Sequence, residues 1–169
     1  MVDSYTVSSA EILSIALEEN NKAVVLGSQT YGKGTTQKVV RLPNLAELIF
    51  TNAKFYSPSG YPMQNAGVWT PFCLSSTSRL NRIYPKKDIE TIYQKGKVLT
   101  KIVTNKKLNE KDPLKTFKTL CPAERRKNNK DDIRIAKQIL LNPDYYKKYL
   151  NLTQILSSYF YQNSHIYVK

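Results

Sequence analysis

The sequence predicts an α/β fold followed by a mostly helical, basic C-terminal region, and three observations predict it. Residues 9–20 place Ala10, Ile12, Leu13, Ala16 and Leu17 at helical spacing, the mark of an amphipathic helix. Runs at 22–27, 36–42 and 47–56 are rich in β-branched and apolar residues and are punctuated by Gly or Pro-Asn, as strands are. From residue 86 onward the apolar period becomes helical again. The expected boundary between the two parts is residue 78, giving regions 1–78 and 79–169.

Each element has a local reason. Ser8 or Ser9 suits the N-cap of the first helix, with Glu18 and Glu19 expected on its outer face and Asn20-Asn21 ending it. Lys22 to Gly27 reads as a compact strand, and the glycine-punctuated stretch 27–34 as a loop. Thr36–Leu42 and Glu47–Tyr56 read as a hairpin turning at Pro43-Asn44, and Ser57–Gly67 as a loop. Residues 86–103 read as a helix with Ile89, Ile92 and Tyr93 on one face. A polar loop over 104–113 and a basic linker over 125–130 precede a helix opened by Asp131-Asp132. Its acidic residues suit the positive end of the helix dipole, and Ile133, Ala136, Ile139 and Leu140 align along it. A last helix is expected from Asp144 to about Tyr161.

Charge is distributed unevenly. Of a net +13, residues 1–85 contribute +2 and residues 86–169 contribute +11. Lysines interleaved with tyrosines can in principle track a phosphate backbone, but no nucleic-acid-binding motif accompanies them, and nucleic acid is not an expected partner. The twelve tyrosines and five phenylalanines supply much of the core. Two cysteines, Cys73 and Cys121, read as ordinary thiols, neither a disulfide framework nor a metal site. No run of 18 apolar residues suggests a membrane span. No basic segment followed by an apolar stretch marks a signal peptide at this start.

Two short segments carry the chemistry. Thr6-Val7-Ser8-Ser9-Ala10-Glu11-Ile12 sets hydroxyl residues at a helix start. Gly27-Ser28-Gln29-Thr30-Tyr31-Gly32-Lys33-Gly34-Thr35-Thr36-Gln37 holds a lysine between glycines with a glutamine four residues on. The helix and strand between them can return Lys33 to Ser8, the layout of a serine hydrolase that uses lysine as its base. At a helix N-terminus the Ser9 N–H can serve as an oxyanion donor. Lys33 would need desolvation or a neighbouring positive charge to lose its proton near neutrality. The stretch from Gly27 to Lys33 also fits Gly, four residues, Gly-Lys, but Gly34 stands where a phosphate loop needs Ser or Thr, and β-like sequence follows. His165, the single histidine, lies in the tail and is not expected to act as the base.

These segments resemble the catalytic core of the carboxy-terminal processing peptidases, or tail-specific proteases. In that family a Thr-Ala-Ser-Ala-Ser-Glu-Ile stretch carries the nucleophile at its first serine. The base is the lysine of a Thr-Phe-Gly-Lys-Gly stretch 25 residues on, assisted by a glutamine four residues further. The resemblance implies Ser8 as nucleophile, Lys33 as base and Gln37 as its assistant. It continues through Phe55-Tyr56-Ser57-Pro58-Ser59-Gly60, Gln64 and Gly67-Val68-Trp69-Thr70-Pro71. Two departures stand out: Ala10 replaces the second serine, and Pro43-Asn44-Leu45 replaces Pro-Asn-Gly.

The resemblance further implies part of the β-β-α fold shared with ClpP-like and crotonase-like enzymes. It implies a serine endopeptidase acting on unstructured C-terminal tails of proteins, with no metal or cofactor. It also implies a periplasmic or cell-envelope setting for a full-length enzyme. A PDZ domain and the upstream half of the protease domain, which supply peptide-binding surface and part of the oxyanion hole, are expected to be missing here. The alternatives are a catalytically inactive remnant of such a protease and a basic binding module.

Overall fold

The computed structural model describes residues 1–84, 88–105, 118–126 and 129–162. In chain order the elements are α1 (Ser9–Glu19), β1 (Leu26–Gly27), β2 (Thr35–Arg41), β3 (Glu47–Lys54), β4 (Phe72–Cys73), a 3-10 turn (Arg79–Arg82), α2 (Ile89–Thr104), α3 (Lys130–Leu140) and α4 (Pro143–Gln162). Helix and strand are mixed, as an α/β protein requires. The expected loop at 104–113 and His165 fall largely or wholly outside the described residues.

The strand-like runs 22–27, 36–42 and 47–56 do not join in one sheet. β1 pairs in parallel with β4, Leu26 opposite Phe72 and Gly27 opposite Cys73, and Val2 bridges Gly27 on the other side. β2 and β3 form a separate antiparallel hairpin. The expected strand at 22–27 contracts to Leu26–Gly27, although Val25 is buried as well. β4 had no sequence signal, because two residues after Pro71 are too few to show a period.

The parallel ladder sits inside the core. Leu26 and Phe72 pack with Ile92, Ile135, Ile139, Tyr149 and Leu152, so α2, α3 and α4 cover it. A second cluster joins Val2, Ile15, Val68 and Trp69 to Leu99, Leu156 and Phe160. Apolar packing therefore crosses residue 78 continuously. Gly32 and Gly67 both take positive φ (89° and 69°). A Cβ on Gly67 would lie 2.6 Å from Thr30 Oγ1, so the loops 27–34 and 63–69 come this close because Gly67 carries no side chain.

Two helix faces differ from the periodic reading. On α1 the buried residues are Glu11, Ile15 and Glu18, while Leu13 and Leu17 are exposed. Glu18 therefore faces inward, not outward. On α3 the buried face is Asp132, Ile135 and Ile139, and Ile133 and Leu140 face solvent. In both helices a buried carboxylate shares the inner stripe, and hydropathy alone would place it outside. Asn129 caps α3 through Oδ1, accepting from the Asp131 and Asp132 N–H groups at 3.0 and 3.3 Å.

The cysteines also correct the expectation. Cys73 and Cys121 form a disulfide, with Cα atoms 5.7 Å apart. It ties the end of β4 to residues 121–126, which cross the N-terminal segment. Ser4 N–H donates to Glu124 O at 3.1 Å, and Ser28 Oγ donates to the same carbonyl at 2.8 Å. Arg126 N–H donates to Asp3 Oδ2 at 2.9 Å. The buried Arg126 guanidinium grips Asp132 bidentately at 2.5 and 2.6 Å and reaches Glu124 at 3.1 Å.

Candidate functional site

Ser8 is half-buried and forms the N-cap of α1. Its backbone lies at φ 56° and ψ −119°, a conformation that costs a non-glycine residue about 1–3 kcal/mol and concentrates at functional sites. Its carbonyl accepts from the Glu11 and Ile12 N–H groups at 2.9 and 3.1 Å. Ser9 opens the helix at the first helical position and is exposed. Position alone leaves its N–H without an intrahelical acceptor.

The centre of the arrangement is Glu11. Its carboxylate is fully buried and accepts four hydrogen bonds. Oε2 takes the Ser8 N–H at 2.8 Å and the Lys33 N–H at 2.9 Å. Oε1 takes the Gly32 N–H at 2.7 Å and the Thr30 hydroxyl. Thr30 Oγ1 in turn accepts the Val68 N–H at 2.6 Å. Bonds of this kind offset the cost of burying a carboxylate. Here those bonds fasten the start of α1 to the glycine loop.

Ser8 and Lys33, 25 residues apart, thus share one carboxylate oxygen through their backbones. The structure brings these two together. It does not bring Gln37 to the same point: Gln37 is exposed on β2, opposite Thr51. Among the described residues no side-chain hydrogen bond joins Ser8, Lys33 and Gln37, and the Lys33 side chain is exposed. Gly34 is followed by β2 rather than by a helix, which removes the phosphate-loop reading.

Residues 1–70 match the model of peptidase family S41. A carboxy-terminal-processing protease of Bartonella bacilliformis is 32% identical over 68 residues, 40% of this chain and 16% of that protein. The chloroplastic carboxyl-terminal-processing peptidase 1 of Arabidopsis thaliana is 36% identical over 72 residues, 43% of this chain and 15% of that protein. A carboxyl-terminal-processing protease of Picosynechococcus is 35% identical over 68 residues, 40% of this chain and 16% of that protein. The chain thus spans only about a sixth of the length of the curated relatives it matches. No solved structure matches it.

The matched segment, residues 1–70, contains the whole arrangement from Ser8 through Glu11 to Val68. Glu11 is the residue that sequence reasoning missed. Its signal was present as the Ser-x-x-Glu spacing of a capping box, but the burial and the three loop donors belong to tertiary structure. Among the described residues no group of three His, Cys, Asp or Glu side chains is arranged to hold a metal ion.

Proposed function

We propose that the chain carries the nucleophile-and-base segment of a serine endopeptidase that trims C-terminal tails of proteins. Ser8 Oγ attacks the scissile carbonyl and forms an acyl-enzyme. Lys33, in its neutral form, takes the Ser8 proton and passes it to the leaving amine. Gln37 hydrogen-bonds the lysine amine, and the Ser9 N–H donates to the oxyanion. Water then releases the acyl group. The observation that carries this reading is the Glu11 carboxylate oxygen shared by the Ser8 and Lys33 N–H groups. The left-handed backbone of Ser8 supports it independently. In this reading residues 1–78 are the C-terminal half of a ClpP- or crotonase-like protease domain, and residues 79–169 are a helical, lysine-rich region packed on it.

A second reading is favoured by one specific observation, the exposure of the Lys33 side chain. An exposed ammonium is not desolvated and makes a poor base. The working site then needs another polypeptide surface, an upstream protease half, lying over Lys33 and the hairpin. Alone, the chain is inert. Loss of one oxyanion donor by itself costs about 100- to 1,000-fold in turnover.

The test is peptide cleavage by the longest form of the protein that its cells make, identified by intact mass, beside the 169-residue chain. Ser8→Ala and Lys33→Ala should each abolish cleavage with the circular dichroism spectrum unchanged. Cleavage that survives Ser8→Ala overturns the peptidase reading. Cleavage by the long form but not by the short one supports completion by a second surface.

A further inference from the structure

One half of α3 is buried and the other is open. Asp132, Ile135 and Ile139 are buried, and helical spacing puts Lys130, Ile133, Arg134, Lys137, Leu140 and Leu141 on the opposite half. All six are exposed, Ile133 at 54%, Leu140 at 69% and Leu141 at 73%. Leu141 caps the helix and keeps a right-handed helical backbone, so it continues this face. Lys130, Arg134 and Lys137 follow one another at spacings of four and three residues, and like charges so placed repel. Three aliphatic side chains therefore stand in water beside three cations that repel one another.

The acidic residues nearby leave this charge largely in place. Asp132 is buried against Arg126, and Asp131 lies 3.6 Å from Arg134. Asp144 is exposed in the first turn of α4, with Lys147 and Lys148 exposed just beyond it. A phosphate backbone would attract the cations and gain nothing from Ile133, Leu140 and Leu141. An anionic lipid surface rewards both, since aliphatic side chains enter the acyl boundary while basic groups stay among the headgroups. Leu140 and Leu141 stand where α3 gives way to α4, so they can enter a fluid layer ahead of the rest of the fold. Among the described residues no helix is long and apolar enough to cross a membrane, so the contact is one of surface docking.

We propose that the exposed half of α3 docks the chain on an anionic lipid surface. Ile133, Leu140 and Leu141 enter the boundary between headgroups and acyl chains, and Lys130, Arg134 and Lys137 lie against lipid phosphates. Asp132 of the same helix holds Arg126, whose backbone N–H holds Asp3, so the segment leading to Ser8 is tethered to the docking helix. The inference does not depend on the peptidase reading, because α3 lies outside the residues that carry it.

The experiment sediments the full chain with vesicles of equal parts phosphatidylglycerol and phosphatidylcholine, and with vesicles of phosphatidylcholine alone. Binding to the first and not to the second is expected, weakening as salt rises. The double variant Leu140→Gln, Leu141→Gln keeps every charge and changes only exposed positions, so it should fold as wild type does. It should bind the anionic vesicles about 10-fold more weakly or worse, because the apolar area no longer leaves water. The triple variant Lys130→Gln, Arg134→Gln, Lys137→Gln should lose about fivefold for each cation removed. Lys38→Gln, Arg41→Gln, Lys54→Gln removes the same charge from the β2–β3 hairpin and should stay within about threefold of wild type, since those cations lie outside the docking face. No binding to the anionic vesicles, equal binding to both kinds, equal losses from the two triple variants, or full binding by the leucine variant overturns the proposal. Binding of duplex RNA that survives the leucine substitutions, with none to vesicles, overturns it in favour of a nucleic acid.

Discussion

The Glu11 hub and the β2–β3 hairpin lie in the same 70-residue segment and are built on opposite principles. In the hub, four donors from two stretches of chain converge on a buried carboxylate, and the loops around it are packed to the limit of glycine. In the hairpin nearly every residue is exposed, including Leu48 at 51%, Ile49 at 56% and Phe50 at 41%. Val39 pairs with Ile49 on one face and Val40 with Leu48 on the other. A strand pair with apolar residues on both faces is the pattern of a ribbon meant for burial on both sides. The hub supplies its own partners within the chain. The hairpin makes hydrogen bonds within itself and leaves its side chains uncovered, and a lone two-stranded hairpin is marginal in water. The arrangement that positions Ser8 and Lys33 thus finds its partners within the chain, and the hairpin that follows Lys33 does not.

The largest expected effect breaks the hub. Glu11→Ala strips acceptors from the Ser8, Gly32 and Lys33 N–H groups and the Thr30 hydroxyl. Buried donors left unpaired cost about 1–3 kcal/mol each, and partial rehydration lowers the sum. A loss of about 4 kcal/mol in urea denaturation is expected. Phe50→Ser in the hairpin, a larger change in hydropathy, should stay within about 0.5 kcal/mol of wild type, as an exposed substitution does. Equal losses would refute the contrast.

The next effect tests residues 121–126, which lie beyond the S41 match yet hold Asp3 and Ser4 at its start. Arg126→Ala leaves the buried Asp132 carboxylate unpaired and is expected to cost about 3 kcal/mol. Asp132→Ala should cost a similar amount, and the double variant little more than either alone, because both remove one interaction. Additive losses in chemical denaturation would show that the two side chains act separately.

These two sites also mark how far the sequence could be read. The positions of α1, the hairpin, α2, α3 and α4 were legible to within three residues, because apolar period and capping residues are local. The nearness of Ser8 to Lys33 was legible from their spacing across one helix and one short strand. The carboxylates were not. Glu11, Glu18 and Asp132 all sit on inner helix faces, where a hydropathy pattern assigns carboxylates outward. Only their surroundings in space explain them. The disulfide was illegible for a related reason, since the 48-residue separation of Cys73 and Cys121 says nothing of distance. The two-residue β4 fell below the length at which a period exists.

A smaller effect depends on pH. Burial, then the neighbouring Glu19 charge, raises the Glu18 carboxyl well above its ordinary 4.5, with the Val25 N–H opposing. Burial raises Glu19 too, against the Ser59 hydrogen bonds. The folded state therefore holds protons that the unfolded state has lost. Their stabilising contribution is present below about pH 4.5 and is lost as pH rises through the folded-state values. Melting temperature should fall with rising pH over that window. Glu18→Gln should flatten the slope, matching wild type near pH 4 and exceeding it at pH 8. A slope unchanged by the substitution would mean that Glu18 ionises in the folded protein as it does in the unfolded one.

The smallest effect returns to the hairpin. At its turn Leu45 takes φ 65° and is 91% exposed, at the position where the resemblance implies the glycine of a Pro-Asn-Gly sequence. A left-handed backbone costs a residue with a Cβ about 1 kcal/mol that glycine does not pay. Leu45→Gly should therefore slow amide hydrogen exchange across residues 35–54 by about fivefold. Global melting should not move, because the hairpin opens without disturbing the hub or the helical core. A melting temperature that rises in step with hairpin protection would mean that the ribbon and the hub unfold as one unit, and the division between the packed hub and the uncovered hairpin would be lost.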